Sequence, residues 1–328
     1  MATTLPPGQA RWIDLSRDLN DIAQLLASAF ADRLDEDGYA ALRQLRRIAR
    51  SRRAQRWYRR QEVVGAPLYG YVWEAEGHIV GNVSLIPLAA PESRQYLVVN
   101  VAVQPAYRRR GIARQLMQHT LDYTRQRGAQ AVWLQVETWN TGAIALYREL
   151  GFTPRDIVTL WHVERETQQK VAPAPDLQVR ARLAARHEWH QQLAWLEALY
   201  PSERPWHHPL PAWRALEPSW RGFLWRLVHP LTFQQWIGRR EGRLSAAVIW
   251  LPRPNAPTDA LMLAAPPSLT PADLTALLAP LRARVHRPLR AELPQGFLTD
   301  ALLAAGFHPS RHLLWMRWQP PSSPPPFL

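Results

Sequence analysis

Residues 96–113 read YLVVNVAVQPAYRRRGIA, and this stretch decides the fold of the first half of the chain. Its apolar first part, residues 96–103, is typical of a strand that is buried on both faces of a sheet. The turn that follows is basic, and Gly111 allows the backbone to bend sharply before a helix that ends at Gly128. The first amides of such a helix lack intrahelical acceptors and, together with the helix dipole, attract an anion, above all a diphosphate. An ordinary turn with solvated arginines fits the same residues.

A second informative stretch is residues 131–152, which read AVWLQVETWNTGAIALYRELGF. It predicts a strand at residues 131–136 and a helix that ends at Gly151. Upstream, the pattern predicts a strand, two helices (the second over about residues 38–53) and a hairpin, and a last strand passes through residues 157–163. The predicted order is β-α-α-β-β-β-α-β-α-β, so the fold class is α/β with a mixed sheet.

Two motifs within these stretches resemble those of a known family. RRRGIA at residues 108–113 resembles the Q/R-x-x-G-x-G/A signature of the GNAT superfamily of acyl-CoA-dependent N-acyltransferases, and residues 140–152 resemble its following motif. Each motif lies on the element where the family carries it. The resemblance is close over residues 96–152 and extends over residues 10–165 through the element order. It is greatest to the branch that acetylates the N-terminal amine of ribosomal proteins.

The resemblance implies acetyl-CoA as the co-substrate and no metal. In the family the coenzyme lies in a V between two splayed parallel strands, here residues 98–103 and 131–136, and bonds the first as an added strand would. The basic turn would hold the pyrophosphate, and Asn140 the coenzyme arm. The residues implied in coenzyme binding are Val101, Ala102, Val103, Arg108, Arg109, Arg110, Gly111, Ile112, Ala113, Arg114, Asn140 and Tyr147.

The predicted catalytic residues are Tyr147 and Glu137, of which the resemblance implies only Tyr147. Tyr147 would lie near the thioester sulfur as general acid. Because the reference pKa of tyrosine is about 10 and that of a thiol about 8.5, its proton must move in concert with collapse of the tetrahedral intermediate. A tyrosine that only packs on the sheet is the alternative. The position that we align with the family's glutamate base holds Leu97, so several substitutes stay open: Glu137, Glu74, Glu76 or a water held by backbone carbonyls.

The second half of the chain repeats the layout of the first. Residues 235–251 predict a hairpin, and LLAAGF at residues 302–307 mirrors LYRELGF at residues 146–152. The turn that should hold arginines and glycine reads AAPPSLT, and Leu303 stands near the place of Tyr147, so this copy is predicted not to bind acetyl-CoA. The predicted organisation is a catalytic domain at residues 1–167, a linker at 168–177, a degenerate GNAT-like domain at 178–319 and a disordered tail at 320–328.

Composition bounds the remaining options. The 328 residues carry a formal net charge of +13, and 39 of the 40 basic residues are arginine, which favours anionic partners. The absence of cysteine excludes disulfides and thiolate catalysis, and no third ligand accompanies His187 and His190 to form a metal site. No apolar run is long enough to span a bilayer and the first residues lack a secretory signal, so we expect a cytoplasmic protein.

Residues 43–60 hold nine arginines together with Trp57 and Tyr58. Such a stretch can bind nucleic acid or the ribosome, lie on anionic lipid, select an acidic acceptor, or form only the solvated face of a helix. The sequence leaves these interpretations open.

The functional prediction is an N-acetyltransferase that moves acetyl from acetyl-CoA to a primary amine by direct attack in a ternary complex. The amine belongs to a small molecule, a peptide or a protein N-terminus. The alternative is a non-catalytic module that binds acetyl-CoA and whose arginines contact nucleic acid or a membrane. The expected partner is an amine acceptor. A homodimer stays open, because tandem copies can mimic within one chain the dimer that is common in the family.

Overall fold

The computed structural model describes residues 8–60, 69–88, 94–164, 172–201, 215–228, 233–254 and 256–320. Part of the predicted linker, residues 168–171, and the predicted tail beyond residue 320 lie outside the described residues. The chain divides into two compact units, Met1–Asp156 with Leu314–Leu328, and Ile157–Leu313. This division does not follow the order of the chain, because residues near the C-terminus are grouped with the first half.

The first unit is built on a mixed sheet. β4 and β5 run parallel, whereas the other neighbours in the order β1-β2-β3-β4 are antiparallel, and the predicted α/β class is confirmed. The elements are, in chain order, β1 (Gln9–Trp12), α1 (Leu19–Ala29), α2 (Glu36–Ala49), α3 (Arg52–Arg60), β2 (Tyr69–Ala75), β3 (His78–Leu88), β4 (Gln95–Val103), α4 (Ile112–Gln126), β5 (Ala131–Glu137) and α5 (Thr141–Glu149).

Different helices cover the two faces of this sheet. The apolar residues of α1 and α2 form one core cluster with Val72 of β2 and Ala102 of β4. On β3, a Cβ built at Gly81 would lie 2.8 Å from Ile112 and 3.0 Å from Leu116, so α4 packs directly on the bare backbone there. Because successive residues of a strand point to opposite faces, α4 covers the face opposite to α1 and α2.

The second unit repeats this architecture, as predicted. Its strands pair in the order β7-β8-β9-β10-β11-β6, and β10 and β11 are its parallel pair. The elements of the second half of the chain are, with the strand that precedes them, β6 (Thr153–Val163), β7 (Gln178–Ala181), α6 (Trp189–Leu199), α7 (Trp220–Val228), β8 (Gln234–Arg240), β9 (Arg243–Leu251), β10 (Asp259–Ala264), α8 (Pro271–Arg282), β11 (Leu289–Pro294), α9 (Thr299–Ala304) and β12 (His308–Trp318).

The closing strand of each half contributes to the other unit. The strand predicted through residues 157–163 forms as part of β6, but it pairs with β11 from Val158 to Val163 and so belongs to the sheet of the second unit. In the first unit, the last part of β12 lies beside β5, where the rings of Trp133 and Trp315 are 6.2 Å apart. The first sheet is therefore completed by the far end of the chain.

Two absences concern the described part of the chain. No helix there is long and apolar enough to cross a membrane. Within the same ranges, no three side chains of His, Cys, Asp or Glu lie close enough together to hold a metal ion.

Candidate active site

The two parallel strands of the first unit separate partway along their length. β4 pairs with β5 from Gln95 opposite Ala131 to Val98 opposite Leu134, and the described residues of the two strands pair no further. Beyond this point residues 99–101 of β4 become partly exposed. The strands therefore form the V that the family resemblance predicted.

A bulge in β4 coincides with the separation. The register between β3 and β4 shifts between Asn82 and Ser84, and Asn100 has a φ of 56°, in the left-handed region. Asn82 is fully buried, and its side-chain amide donates to the carbonyl of Asn100 over 2.8 Å and to the hydroxyl of Ser84 over 3.1 Å. Asn82 thus holds the bulged residue in place, and its own Oδ1 has no partner.

The backbone of the basic turn takes an unusual conformation just before α4. Arg109 and Gly111 have φ of 63° and 82°, and Gly111 occupies the N-cap of α4. No side chain in the described part of the chain caps this helix terminus. The first amides of Ile112 and Ala113 are therefore available to an anion, and the helix dipole adds to the attraction. Ile112 is 1% exposed and anchors this turn under the sheet.

The four arginines of the turn differ in their surroundings. Arg108 donates to the carbonyl of Val103 over 3.1 Å and lies 3.5 Å from that of Ala29, so it braces the end of β4. Arg110 lies over the ring of Tyr107, at 5.2 Å from the centroid. Arg109 has no side-chain contact with a described residue. It is exposed and lies in the left-handed region, just before Arg110.

Two further contacts concern residues implied in coenzyme binding. Arg114 forms an ion pair with Glu149 of α5, and both side chains are exposed, so the pair adds little stability. Ala102 is 4% exposed in the core beneath α1, so it can offer only its backbone to a ligand.

α5 places the proposed acid beneath the sheet. Tyr147 is 5% exposed, packs at 5.9 Å from the ring of Phe152, and makes no side-chain hydrogen bond to a described residue. Burial raises the pKa of its hydroxyl well above the ordinary value of tyrosine. The hydroxyl is therefore neutral and able to donate a proton across the physiological pH range. At the start of the same helix, Asn140 accepts from the amide of Ala143 over 3.2 Å, which leaves its NH₂ group for a ligand.

The sequence left open which carboxylate would act as the base. Leu97 is 1% exposed in the paired part of β4, so a side chain at that position has no access to the V. Glu137 is partly exposed at the end of β5, beyond the separation, and Gln135 is partly exposed on the same face. Glu74 instead bonds Arg11, across β1 and β2. Of the glutamates considered, Glu137 is thus the one beside the V.

An exposed aromatic side chain stands next to this carboxylate. Trp139 is 53% exposed, two residues beyond Glu137. The guanidinium carbon of Arg33, in the connection between α1 and α2, lies 4.0 Å from the centroid of its ring. This cation–π contact ties that connection to the loop after β5.

The corresponding places in the second unit are filled by the protein itself. The hydroxyl of Tyr200, a buried residue just after α6, accepts from the amide of Leu263 on β10 over 3.0 Å. α8 has a capping box, in which Thr270 accepts from the amide of Asp273 and Asp273 accepts from that of Thr270. In the second unit, the amide of Leu263 on β10 and the first amides of α8 are therefore bonded within the protein itself.

Several of these residues escaped the sequence analysis. Asn82 is a polar residue inside the apolar hairpin strand IVGNVSLI, which was an available signal for a buried role. Asn100 is likewise polar inside the apolar strand YLVVNVAV, but its bulge could not be predicted, and neither could the ring contact of Arg33. Both depend on neighbouring strands and loops. The hydrogen bond between Tyr200 and Leu263 could likewise not be predicted from the sequence, since it joins residues 63 positions apart.

A mixed sheet whose central parallel strands separate beside an uncapped, arginine-flanked helix terminus is the architecture of the GNAT acyltransferases. Residues 39–152, about a third of the chain, match the model of the Acetyltransferase (GNAT) family. It is 45% identical over 58 residues to [Ribosomal protein bS18]-alanine N-acetyltransferase of Escherichia coli strain K12, a stretch that covers 18% of this chain and 39% of that relative.

Solved structures share the fold over nearly the whole chain. A GCN5-related N-acetyltransferase from Sphaerobacter thermophilus aligns with a TM-score of 0.62 and 16% identity, covering 96% of this chain and 97% of that one. A tandem GNAT protein from the clavulanic acid biosynthesis pathway aligns with a TM-score of 0.55 and 15% identity, covering 96% and 100%. At these identities the likeness establishes the fold, and it confirms the prediction of tandem GNAT-like domains.

Proposed function

We propose that the protein transfers the acetyl group of acetyl-CoA to a primary amine by direct attack in a ternary complex. The acceptor is the amine of a small molecule, a peptide or a protein N-terminus. The name of the Escherichia coli relative, a ribosomal-protein alanine N-acetyltransferase, supports a protein amine among these. The first unit carries the reaction, and the second supports it without a coenzyme of its own.

The observation that carries this proposal is the unfilled helix terminus beside the separated strands. A pyrophosphate needs several unpaired amides and positive charge, and both occur at the turn from Arg109 to Gly111. The pantetheine arm needs unpaired strand backbone, and β4 beyond Val98 pairs with no described strand on its β5 side. The second unit differs, because Tyr200 accepts from the strand amide of Leu263 there and Thr270 accepts from an amide at the start of α8.

The side chains of the first unit provide for both protons of the reaction. The amine nitrogen forms a bond to the thioester carbonyl carbon, and the carbon–sulfur bond breaks when the tetrahedral intermediate collapses. Tyr147 gives its proton to the leaving sulfur as that bond breaks, since a raised pKa keeps the hydroxyl protonated but makes transfer to a free thiolate unfavourable. Glu137, directly or through water, receives the proton that the amine loses.

The test follows the release of coenzyme A thiol from acetyl-CoA in the presence of a panel of amines, including peptides with a free or blocked N-terminus. The chain has no cysteine, so a thiol reagent reports only the product. General acid catalysis contributes about 10²–10⁴-fold, so Tyr147→Phe should lower kcat by at least about 100-fold while the Kd for acetyl-CoA changes little. The matched control is Tyr39→Phe, at an exposed position of α2.

Two results would contradict the proposal in different ways. Tight binding of acetyl-CoA with no turnover on any amine would make the protein a coenzyme-binding module rather than an enzyme. An equal loss of coenzyme affinity and of turnover in Tyr147→Phe would remove this tyrosine as the acid and leave it a packing residue.

A further inference from the structure

The most concentrated charge on the first unit lies on α2, α3 and the corner between them. No acidic residue occurs between residues 38 and 61. We call the exposed arginines of this region the arginine surface, and among the described residues none of them has an acidic partner. Its members are Arg43, Arg46, Arg47, Arg50, Arg52, Arg53 and Arg56.

The helix α2 presents this charge as a single stripe. Its arginines are spaced i, i+3, i+4 and i+7 from Arg43 to Arg50, which places them on one side of the helix. The opposite side buries Leu42, Leu45 and Ile48 in the core of the unit. Like charges at these spacings repel one another, and no acidic side chain among the described residues relieves them. A bound polyanion would relieve them all at once.

The row of arginines continues beyond α2, through the corner that leads into α3. The sequence predicted one helix over residues 38–53, but the structure ends α2 at Ala49 and starts α3 at Arg52. The hydroxyl of Ser51 accepts from the amide of Ala54 over 3.2 Å, and the buried side chain of Gln55 donates to the carbonyl of Ala49 over 2.7 Å. These bonds fix the direction in which the arginines of α3 extend.

An aromatic side chain lies on the same stripe. Tyr39 precedes Arg43 by four residues, so it stands on the same side of α2, and it is 47% exposed. An exposed ring beside a row of cations is the combination that binds single-stranded nucleic acids, in which the backbone follows the charges and an unpaired base stacks on the ring.

We propose that the arginine surface, with Tyr39, binds a single-stranded nucleic acid through its phosphodiester backbone. Guanidinium groups bond phosphate oxygens in pairs, and such contacts are independent of base sequence. A lipid surface fits less well, because an interfacial helix must bury its apolar face in the bilayer, and Leu42, Leu45 and Ile48 are already covered by protein. The inference stands apart from acetyl transfer, since binding is measured without turnover.

The experiment measures binding of the full chain to fluorescein-labelled 20-nucleotide RNA and DNA by fluorescence anisotropy at several salt concentrations. The test variant replaces Arg43, Arg46, Arg47 and Arg50 by Gln, which keeps the helix propensity. A control variant removes the same charge from exposed arginines of the second unit that form no ion pair with a described residue. Those arginines are Arg180, Arg182, Arg243 and Arg284.

Each phosphate contact with a single strand contributes about 0.7 to the slope of log Kd against log salt. The test variant should therefore lower this slope by about 3 and weaken binding on the order of 100-fold at 0.1 M salt. The control variant should keep the slope of the parent protein within about 1. Tyr39→Ala should weaken binding about tenfold, and Tyr39→Phe should restore it, because stacking needs only the ring.

Four results would overturn the proposal. These are equal losses in the two fourfold variants, an unchanged salt slope in the test variant, no binding of RNA or DNA, and tighter binding to phosphatidylserine vesicles than to either oligonucleotide. A difference between the RNA and DNA arms would identify which nucleic acid the surface takes. A lower KM for acidic than for neutral peptide acceptors, with no nucleic acid bound, would assign the charge to acceptor selection instead.

Discussion

A methyl group added at Gly81 tests how the sheet positions the proposed anion site, at a residue that is not itself part of that site. The Cβ of Gly81→Ala would lie 2.8 Å from Cγ2 of Ile112, 3.0 Å from Cδ1 of Leu116 and 3.2 Å from Cβ of Trp73. Ordinary van der Waals contacts between carbon atoms begin at about 3.5 Å. The first turn of α4 must therefore move by several tenths of an ångström away from β3.

The neighbouring side chains cannot move aside at a lower cost in free energy. Ile112 and Leu116 are 1% and 0% exposed, and the branched side chain of Ile112 is restricted to one rotamer in a helix. Overpacking of this kind costs about 1–3 kcal/mol of unfolding free energy. The amides that would face the pyrophosphate belong to the same first turn of α4 and would move with it. We therefore expect the Kd for coenzyme A to rise about tenfold, equivalent to about 1.4 kcal/mol.

The assay combines calorimetric titration of coenzyme A with urea unfolding of each variant. The control is Gly142→Ala on α5, where an added Cβ meets nothing within 4 Å. Alanine there should raise the unfolding free energy by about 0.4–1 kcal/mol and leave the Kd unchanged, because it removes backbone freedom only from the unfolded chain. The double variant Gly81→Ala, Ile112→Ala should recover part of the lost affinity, since the new methyl fills the space of the removed one.

The reasoning would be refuted by a Gly81→Ala protein that is destabilised by the expected amount yet binds coenzyme A as the parent does. In that case the first turn of α4 would not carry the binding amides. Full stability together with unchanged binding would show instead that the packing at this glycine has room that the structure does not display.

Two other predictions follow from single observations. The double variant Arg109→Ala, Arg110→Ala should weaken coenzyme A binding at least tenfold and reduce its salt dependence with little change in unfolding, because both side chains are exposed; an unaltered binding constant would count against the pyrophosphate assignment. Tyr200→Phe should cost about 1–3 kcal/mol in urea unfolding, because the buried amide of Leu263 loses its acceptor. Burial raises the pKa of Tyr200, so its neutral form stabilises the fold fully below about pH 10 and less as the pH rises above it; in Tyr200→Phe this alkaline loss of stability should be smaller, and an identical loss in both proteins would contradict the reasoning.

The sequence alone determined the features that arise within one element or one turn. The apolar strand before the basic turn, the glycine at the start of α4 and the tyrosine on α5 are local patterns, because hydrophobic periodicity, turn chemistry and helix ends depend on neighbours along the chain. The element order of both halves could be predicted for the same reason, apart from the break between α2 and α3.

Tertiary structure alone decided which strands complete which sheet and which groups reach the site. β6 and the last part of β12 are both apolar strands that follow a helix ending in Gly-Phe, and nothing in their local pattern distinguishes one sheet from the other. Tertiary structure also decided the bulge at Asn100, which is held by the side-chain amide of Asn82 from another strand. It likewise decided the hydrogen bond that the hydroxyl of Tyr200 accepts from the amide of Leu263. Each depends on contacts between residues far apart in the chain, where the choice of partner is set by packing and by the need to satisfy buried polar groups.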